Sequence, residues 1–103
     1  MLIINATGNV GRDPELKTVK DIEVAEFSIA ARTGKDETTW LNCSVWGGRS
    51  KTVMEYIKKG SQISVSGPGK LVTFEKRDGS TGFRVEVKVN DFTLPVKKEA
   101  APF

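Results

Sequence analysis

The stretch from Thr38 to Trp46 reads TTWLNCSVW. From Trp40 onward it alternates bulky and apolar residues with small or polar ones. Side chains on a β-strand point to opposite faces with period two. Leu41, Cys43 and Val45 therefore share one face, and Trp40, Asn42, Ser44 and Trp46 share the other. Gly47-Gly48 ends the segment. Residues Ser50 to Lys59 then read as a helix, with Val53, Met54 and Ile57 on one stripe and Gly60 as its stop. A half-apolar strand that runs directly into one short helix has to be accommodated by whatever fold the remaining segments build.

Four more segments have the period and composition of strands. The first runs from Leu2 to about Val10 and ends at the turn Gly11-Arg12-Asp13-Pro14. The second, Ile22 to Arg32, puts Ile22 and Val24 in one phase but Phe27, Ile29 and Ala31 in the other. That switch predicts a bulge or strong coiling. The fourth begins at Gln62 with Ile63 and Val65 inward, passes Gly67-Pro68-Gly69 and continues to about Phe74. Asp78-Gly79 signals a hairpin turn. The fifth, Phe83 to Val89, alternates Phe83, Val85, Val87 and Val89 against Arg84, Glu86 and Lys88. Residues 95–103 contain two prolines and are expected to form a short flexible tail, which leaves 1–94 as a single domain. Three strands, a helix and two strands is the order of the OB-fold, a five-stranded Greek-key barrel with its helix between strands three and four. Gly67 and Gly69 suit bends at a barrel corner. An SH3-like small barrel is the alternative, and it explains the helix after Trp46 less well.

Composition acts mainly by exclusion. The 103 residues include no His and one Cys, Cys43. A Cys/His zinc site and a Ser–His–Asp or Cys–His catalytic set are both impossible on those terms. No disulfide framework can form, which fits a reducing cytosol. No apolar run reaches membrane-spanning length, and the opening MLII is too short for a signal peptide. Cys43 alternates with Leu41 and Val45 and is expected as a small buried hydrophobe. Gly8-Asn9-Val10-Gly11 is too short and wrongly spaced for a phosphate-binding loop, and the acidic residues form no catalytic pair. No cofactor is implied. Lys plus Arg exceed Asp plus Glu by 16 to 13, a mild basic balance compatible with a nucleic-acid partner.

Trp40 and Trp46 are the residues that ask for a function, because large aromatics usually go inside and these fall on the polar face. They fit a stacking platform for nucleic-acid bases, since every base has a π-face. They equally fit rings covered by the helix, a loop or a subunit interface. Phe74, beside the hairpin, is either a third stacking residue or packed on its partner strand. Phe83 shares parity with Val85 and Val87, which favours the core; Phe27 lies in the core phase with Ile29. Basic residues interleave with these aromatics: Arg32 and Lys35 at the second loop, Arg49 and Lys51 after Trp46, and Lys70, Lys76, Arg77 and Arg84 on the last two strands. Taken singly they are solubilising surface charges. As a set they suit phosphate neutralisation. Lys58-Lys59 are expected at the helix C-terminus, where cations suit the macrodipole.

In this order the segments resemble the bacterial-type single-stranded DNA-binding proteins. TGNVGRDPEL resembles the close of that family's first strand and its turn, and VAEFSIA its second strand. TTWLNCSVWGG resembles the Trp-centred third strand, and EYIKKGSQISVSG the helix end and entry to strand four. The resemblance covers about residues 2–94. It implies a non-catalytic OB-fold protein that binds and protects single-stranded DNA without sequence preference in replication, recombination and repair. It further implies a cytoplasmic, nucleoid-associated homotetramer, with a dimer as the alternative and Leu2 to Asn5 placed for edge pairing across a two-fold. By position, Trp40, Trp46 and Phe74 match the family's stacking aromatics, and Phe83, which stands where some relatives have Tyr, joins them as a nucleic-acid-binding candidate. Three departures stand out. The loop Thr33 to Thr38 is short, with no counterpart to a further loop Trp. Pro68-Gly69 replaces the usual polar–apolar pair. The C-terminus keeps Pro102-Phe103 but has Lys97-Lys98-Glu99 where an acidic run would stand, which puts recruitment of other proteins through an acidic tail in doubt. Two other binding readings compete: a primosome-type OB-fold accessory acting through protein contacts, and an RNA-binding barrel of cold-shock type.

Overall fold

In the computed structural model, which describes residues 1–94, the alternating segments become seven strands and one helix. They are β1 (Ile3–Val10), β2 (Glu15–Val19), β3 (Ile22–Gly34), β4 (Glu37–Trp46), α1 (Arg49–Tyr56), β5 (Gln62–Glu75), β6 (Thr81–Lys88) and β7 (Asp91–Phe92). β3 and β4 pair antiparallel from Val24↔Trp46 to Arg32↔Thr38. β6 lies parallel to β4, from Leu41↔Val85 to Ser44↔Lys88. β5 runs antiparallel to β6, from Gly69↔Val87 to Glu75↔Thr81. β1 runs antiparallel to β5, from Ile3↔Pro68 to Asn9↔Gln62, and its far end returns to β3 through Asn9↔Ala30 and Val10↔Ile29. The sheet thus closes into a ring of five strands in the order β1-β3-β4-β6-β5. This is the strand–helix order expected of an OB-fold, with α1 between the third and fourth strands of the ring.

The core fills that ring. Phe27 and Ile29 come from β3, Leu41, Cys43 and Val45 from β4, Ile63 and Val65 from β5, and Val87 from β6. Each full burial of a Val, Ile or Phe side chain contributes about 1.5–3 kcal/mol relative to exposure. Val53 and Ile57 of the helical segment join the same cluster and pack its end. β5 belongs to β1 up to Pro68 and to β6 from Gly69 onward. At that crossing a Cβ on Gly67 would meet the Lys88 carbonyl oxygen, so the glycine is required by close strand approach.

Four details differ from expectation. β2 and β7 are additional strands. All five residues of β2 are exposed, so it carries no burial pattern that periodicity could detect. A two-residue turn with positive φ at Lys20 and Asp21 holds it to β3. No bulge interrupts β3 at its phase switch, because the β3–β4 register is continuous from Val24 to Arg32 and shifts only between Arg32 and Gly34. Val24 and Ala25 are both buried, Val24 on the tryptophan face between its register partners Lys17 and Trp46. The strand is covered on both sides there, which imitates a change of phase. The helix is shorter than expected: Ile57 is already extended, so Lys58 and Lys59 lie beyond the last turn. Lys58 still donates from Nζ to the Met54 carbonyl. Finally, Phe83 is not in the core. It shares the parity of Val85 and Val87, but β6 residues before Val85 have no β4 partner, and the β5–β6 arm projects past the ring there. The proposed tail lies outside the described residues.

Candidate nucleic-acid interface

Cross-strand partners share a face, so the register shows what surrounds the tryptophans. On β3 these are Val24, Glu26, Ser28 and Ala30; on β6, Glu86 and Lys88; on β5, Lys70. Val72↔Arg84 and Phe74↔Gly82 carry the same face out along the arm. Trp40 is 54% exposed, Trp46 38% and Phe74 41%. Both tryptophans thus stay open to solvent over much of their surface. The tip of the Phe74 ring reaches over Gly82 on the partner strand, the packing that one of its two readings expected, while the residue stays open to solvent. Phe83, 63% exposed, stands on the opposite face of the arm, paired with Thr73.

An open trough of about 700 Å³ runs along this surface beside Trp46. Arg12, Lys17, Lys70, Arg84 and Lys88 line it, against two carboxylates, Glu26 and Glu86. The surplus of three positive charges equals the net charge of the whole chain. Lys17 Nζ sits 2.7 Å from Glu26, whose hydrogen bond and charge raise the lysine pKa above its usual value. Arg84 donates to Glu86 at 2.9 Å and also lies over the Phe74 ring, 5.8 Å from its centroid. Lys88 Nζ stands 5.4 Å from the Trp46 ring centroid. The Trp46 indole N–H donates to Ser44 on its own strand, which steadies the ring.

The expected basic residues divide between this face and other surfaces. Lys70 and Arg84 line the trough. Arg32, opposite Thr38, is on the tryptophan face two residues beyond the partner of Trp40. Lys35 is in the tight turn after β3, and Lys76 and Arg77 are at the tip of the arm. There Asp78 accepts from both the backbone N–H and the hydroxyl of Ser80, which lowers its carboxyl pKa. Arg49 and Lys51 do not reach the trough: Arg49 lies over Phe92, 5.8 Å from its centroid, and Lys51 faces Glu23 at 3.9 Å. Three trough residues were missed from sequence. Lys88 was legible, since it alternates with Arg84 and Glu86. Lys17 was hidden with β2, and Arg12 arrives by a chain reversal that leaves no pattern.

Cys43 is buried, and burial pushes its thiol up to about 12, so it is chemically quiet at neutral pH. Among the described residues no group of three or more His, Cys, Asp or Glu side chains could hold a metal ion, and no helix is long and apolar enough to cross a membrane. The arrangement offers exposed aromatic rings on one face, with Trp46 lining a cationic trough, a surface suited to a polyanion with exposed planar groups.

Known proteins agree on the family. Residues 2–95 match the model of the single-strand binding protein family. The chain is 34% identical to the single-stranded DNA-binding protein of Chlamydia trachomatis serovar D over 94 residues, covering 87% of this chain and 60% of that protein. It is 33% identical to the protein of the same name from Clostridium perfringens, covering 82% of this chain and 59% of that one. The corresponding Mycobacterium bovis protein is 34% identical, with coverage of 85% and 60%. The chain thus spans about three fifths of the length of these relatives. A family match across nearly the whole described domain, on a closed five-stranded OB architecture with outward tryptophans, places the chain in the single-strand binding protein family.

Proposed function

We propose that this protein is a non-catalytic binder that coats single-stranded DNA without sequence preference. Bases stack on Trp40, Trp46 and Phe74, and phosphates are met by Arg12, Lys17, Lys70, Arg84 and Lys88, with Arg32 and the arm-tip cations Lys76 and Arg77 extending the path. The observation that carries this reading is the exposure of all three aromatics on the one face whose trough sets five cations against two carboxylates. The names of its relatives support it. Stacking contributes about 1–3 kcal/mol per base whatever the base, and the cations add a salt-dependent, sequence-independent part. Protection of strands exposed in replication, recombination and repair, in the cytoplasm, follows from such an activity.

The active form is a homo-oligomer. From Ile3 to Gly8, β1 pairs with β5 on one edge, while its pairing with β3 begins only at Asn9. An unpaired edge of that length is a template for a second chain. Affinity for a long oligo-dT, measured across salt, tests the binding mode. One phosphate at each of the five trough cations alone predicts a slope of log K against log salt near −3.5, at roughly −0.7 per phosphate for single strands, and Arg32, Lys76 and Arg77 would steepen it. A slope near zero, or equal affinity for duplex DNA, would count against it.

A further inference from the structure

We propose that Gly11 is a positioning residue for Trp40: the missing side chain leaves the space in which the far end of the indole settles, and so fixes the ring against which a base stacks. This rests on the reading of Trp40 as a stacking residue. Trp40 springs from β4 opposite Ala30 of β3. Gly11 lies just past the end of β1, on the far side of β3, and its backbone N–H is held by the Ser28 carbonyl at 2.9 Å. A Cβ built on Gly11 would fall 2.4 Å from Trp40 Cζ3 and 2.8 Å from Cη2. The indole therefore spans β3 across small residues and ends against the Gly11 backbone. Gly11 is not one of the positive-φ glycines, Gly47, Gly60 and Gly79, so positive-φ strain does not stand against a side chain there. A side chain there would have to push the ring aside.

The same device recurs on the arm. Gly82 is the register partner of Phe74, and a Cβ there would lie 2.5 Å from Phe74 Cζ and 2.7 Å from Cε2. Gly82 too has no positive φ. Two of the three candidate stacking rings are thus seated on a glycine in a neighbouring strand or turn. An exposed aromatic free to rotate would lose conformational entropy on stacking; one already seated loses less, which is the general advantage of preorganisation.

The test is a double-mutant cycle on oligo-dT affinity at fixed salt, using Gly11→Ala, Trp40→Ala and the double variant, with melting curves and tryptophan emission for each. A methyl that displaces the ring by about an ångström forfeits a quarter to a half of its contacts, so Gly11→Ala should weaken binding about three- to ten-fold and shift the emission. In the Trp40→Ala background the same change should do nothing, because no ring remains to displace. Gly48→Ala, where an added Cβ meets nothing within 4 Å, is the control and should bind as the parent does. Undiminished affinity in Gly11→Ala, or a loss of equal size with and without Trp40, overturns the positioning role while leaving Trp40 stacking intact. Parent-like affinity in Trp40→Ala overturns the stacking reading itself, and the positioning role with it. If Gly11→Ala melts early, the double variant decides: recovered stability without the indole supports the steric account, and no recovery refutes it.

Discussion

Lys88 and Trp46 are coupled across two parallel strands: the ammonium of β6 stands 5.4 Å from the centre of the indole on β4. The pairing Ser44↔Lys88 brings them together, since Trp46 is two residues along the same face. A cation over a tryptophan at a largely exposed site contributes about 0.5–1 kcal/mol. Lys88 thus lies over part of the ring, and in the proposed binding mode it would turn to the phosphate of a strand whose base displaces it. Lys88→Ala is expected to reduce the salt slope of oligo-dT binding by about 0.7, the loss of one phosphate contact. Titrations at four or five salt concentrations measure this, and an unchanged slope would remove Lys88 from the binding path.

Three phenylalanines should separate cleanly. Phe27 is fully buried in the ring, and Phe27→Ala should cost about 3–5 kcal/mol of stability, seen in urea unfolding. Phe74→Ala should leave the unfolding midpoint nearly unchanged and cost about 1–3 kcal/mol of affinity for oligo-dT. Phe83, on the opposite face of the arm, should spare affinity when changed to Ala, within about 0.5 kcal/mol. Equal effects of Phe74→Ala and Phe83→Ala on binding would mean that the arm does not use one face.

The buried thiol supplies a pH dependence of known sign. Cys43 is raised by burial from an ordinary 9.0 to about 12. The unfolded chain therefore releases this proton at a lower pH than the folded one does. The contribution is fully present below pH 9 and is lost as pH rises toward 12, at up to about 1.4 kcal/mol per pH unit. The comparison is with Cys43→Ala, which removes only the thiol. The parent should lose stability faster than that variant between pH 9 and 11, as followed by urea midpoints. Parallel curves would mean that the thiol ionises equally well in the folded state.

Much of this was legible in the sequence because one residue pattern carried two messages. The alternation from Trp40 to Trp46 located the core face through Leu41, Cys43 and Val45, and the outward tryptophans by the same parity. Burial contradicted neither assignment. What escaped detection depended on neighbours rather than on the residue itself. Glu15–Val19 became a strand without burying a side chain, through pairing with β3. Phe83 had core parity at a height where the ring has no opposite wall. Arg49 and Lys51 followed Trp46 in sequence, but the turn into α1 carried them to Phe92 and Glu23 instead. Gly11 read as a turn residue, and its place beneath Trp40 depends on a strand pairing that no local pattern encodes.

The central claim is that Trp40 and Trp46 receive bases, and tryptophan emission reads it directly because these are the chain's two tryptophans. Trp46→Phe leaves Trp40 as the reporter, and Trp40→Phe leaves Trp46. Saturating oligo-dT should strongly quench the emission of both single-tryptophan variants. Undiminished emission from either, at a concentration where binding is complete by an independent measurement, would contradict stacking at that residue.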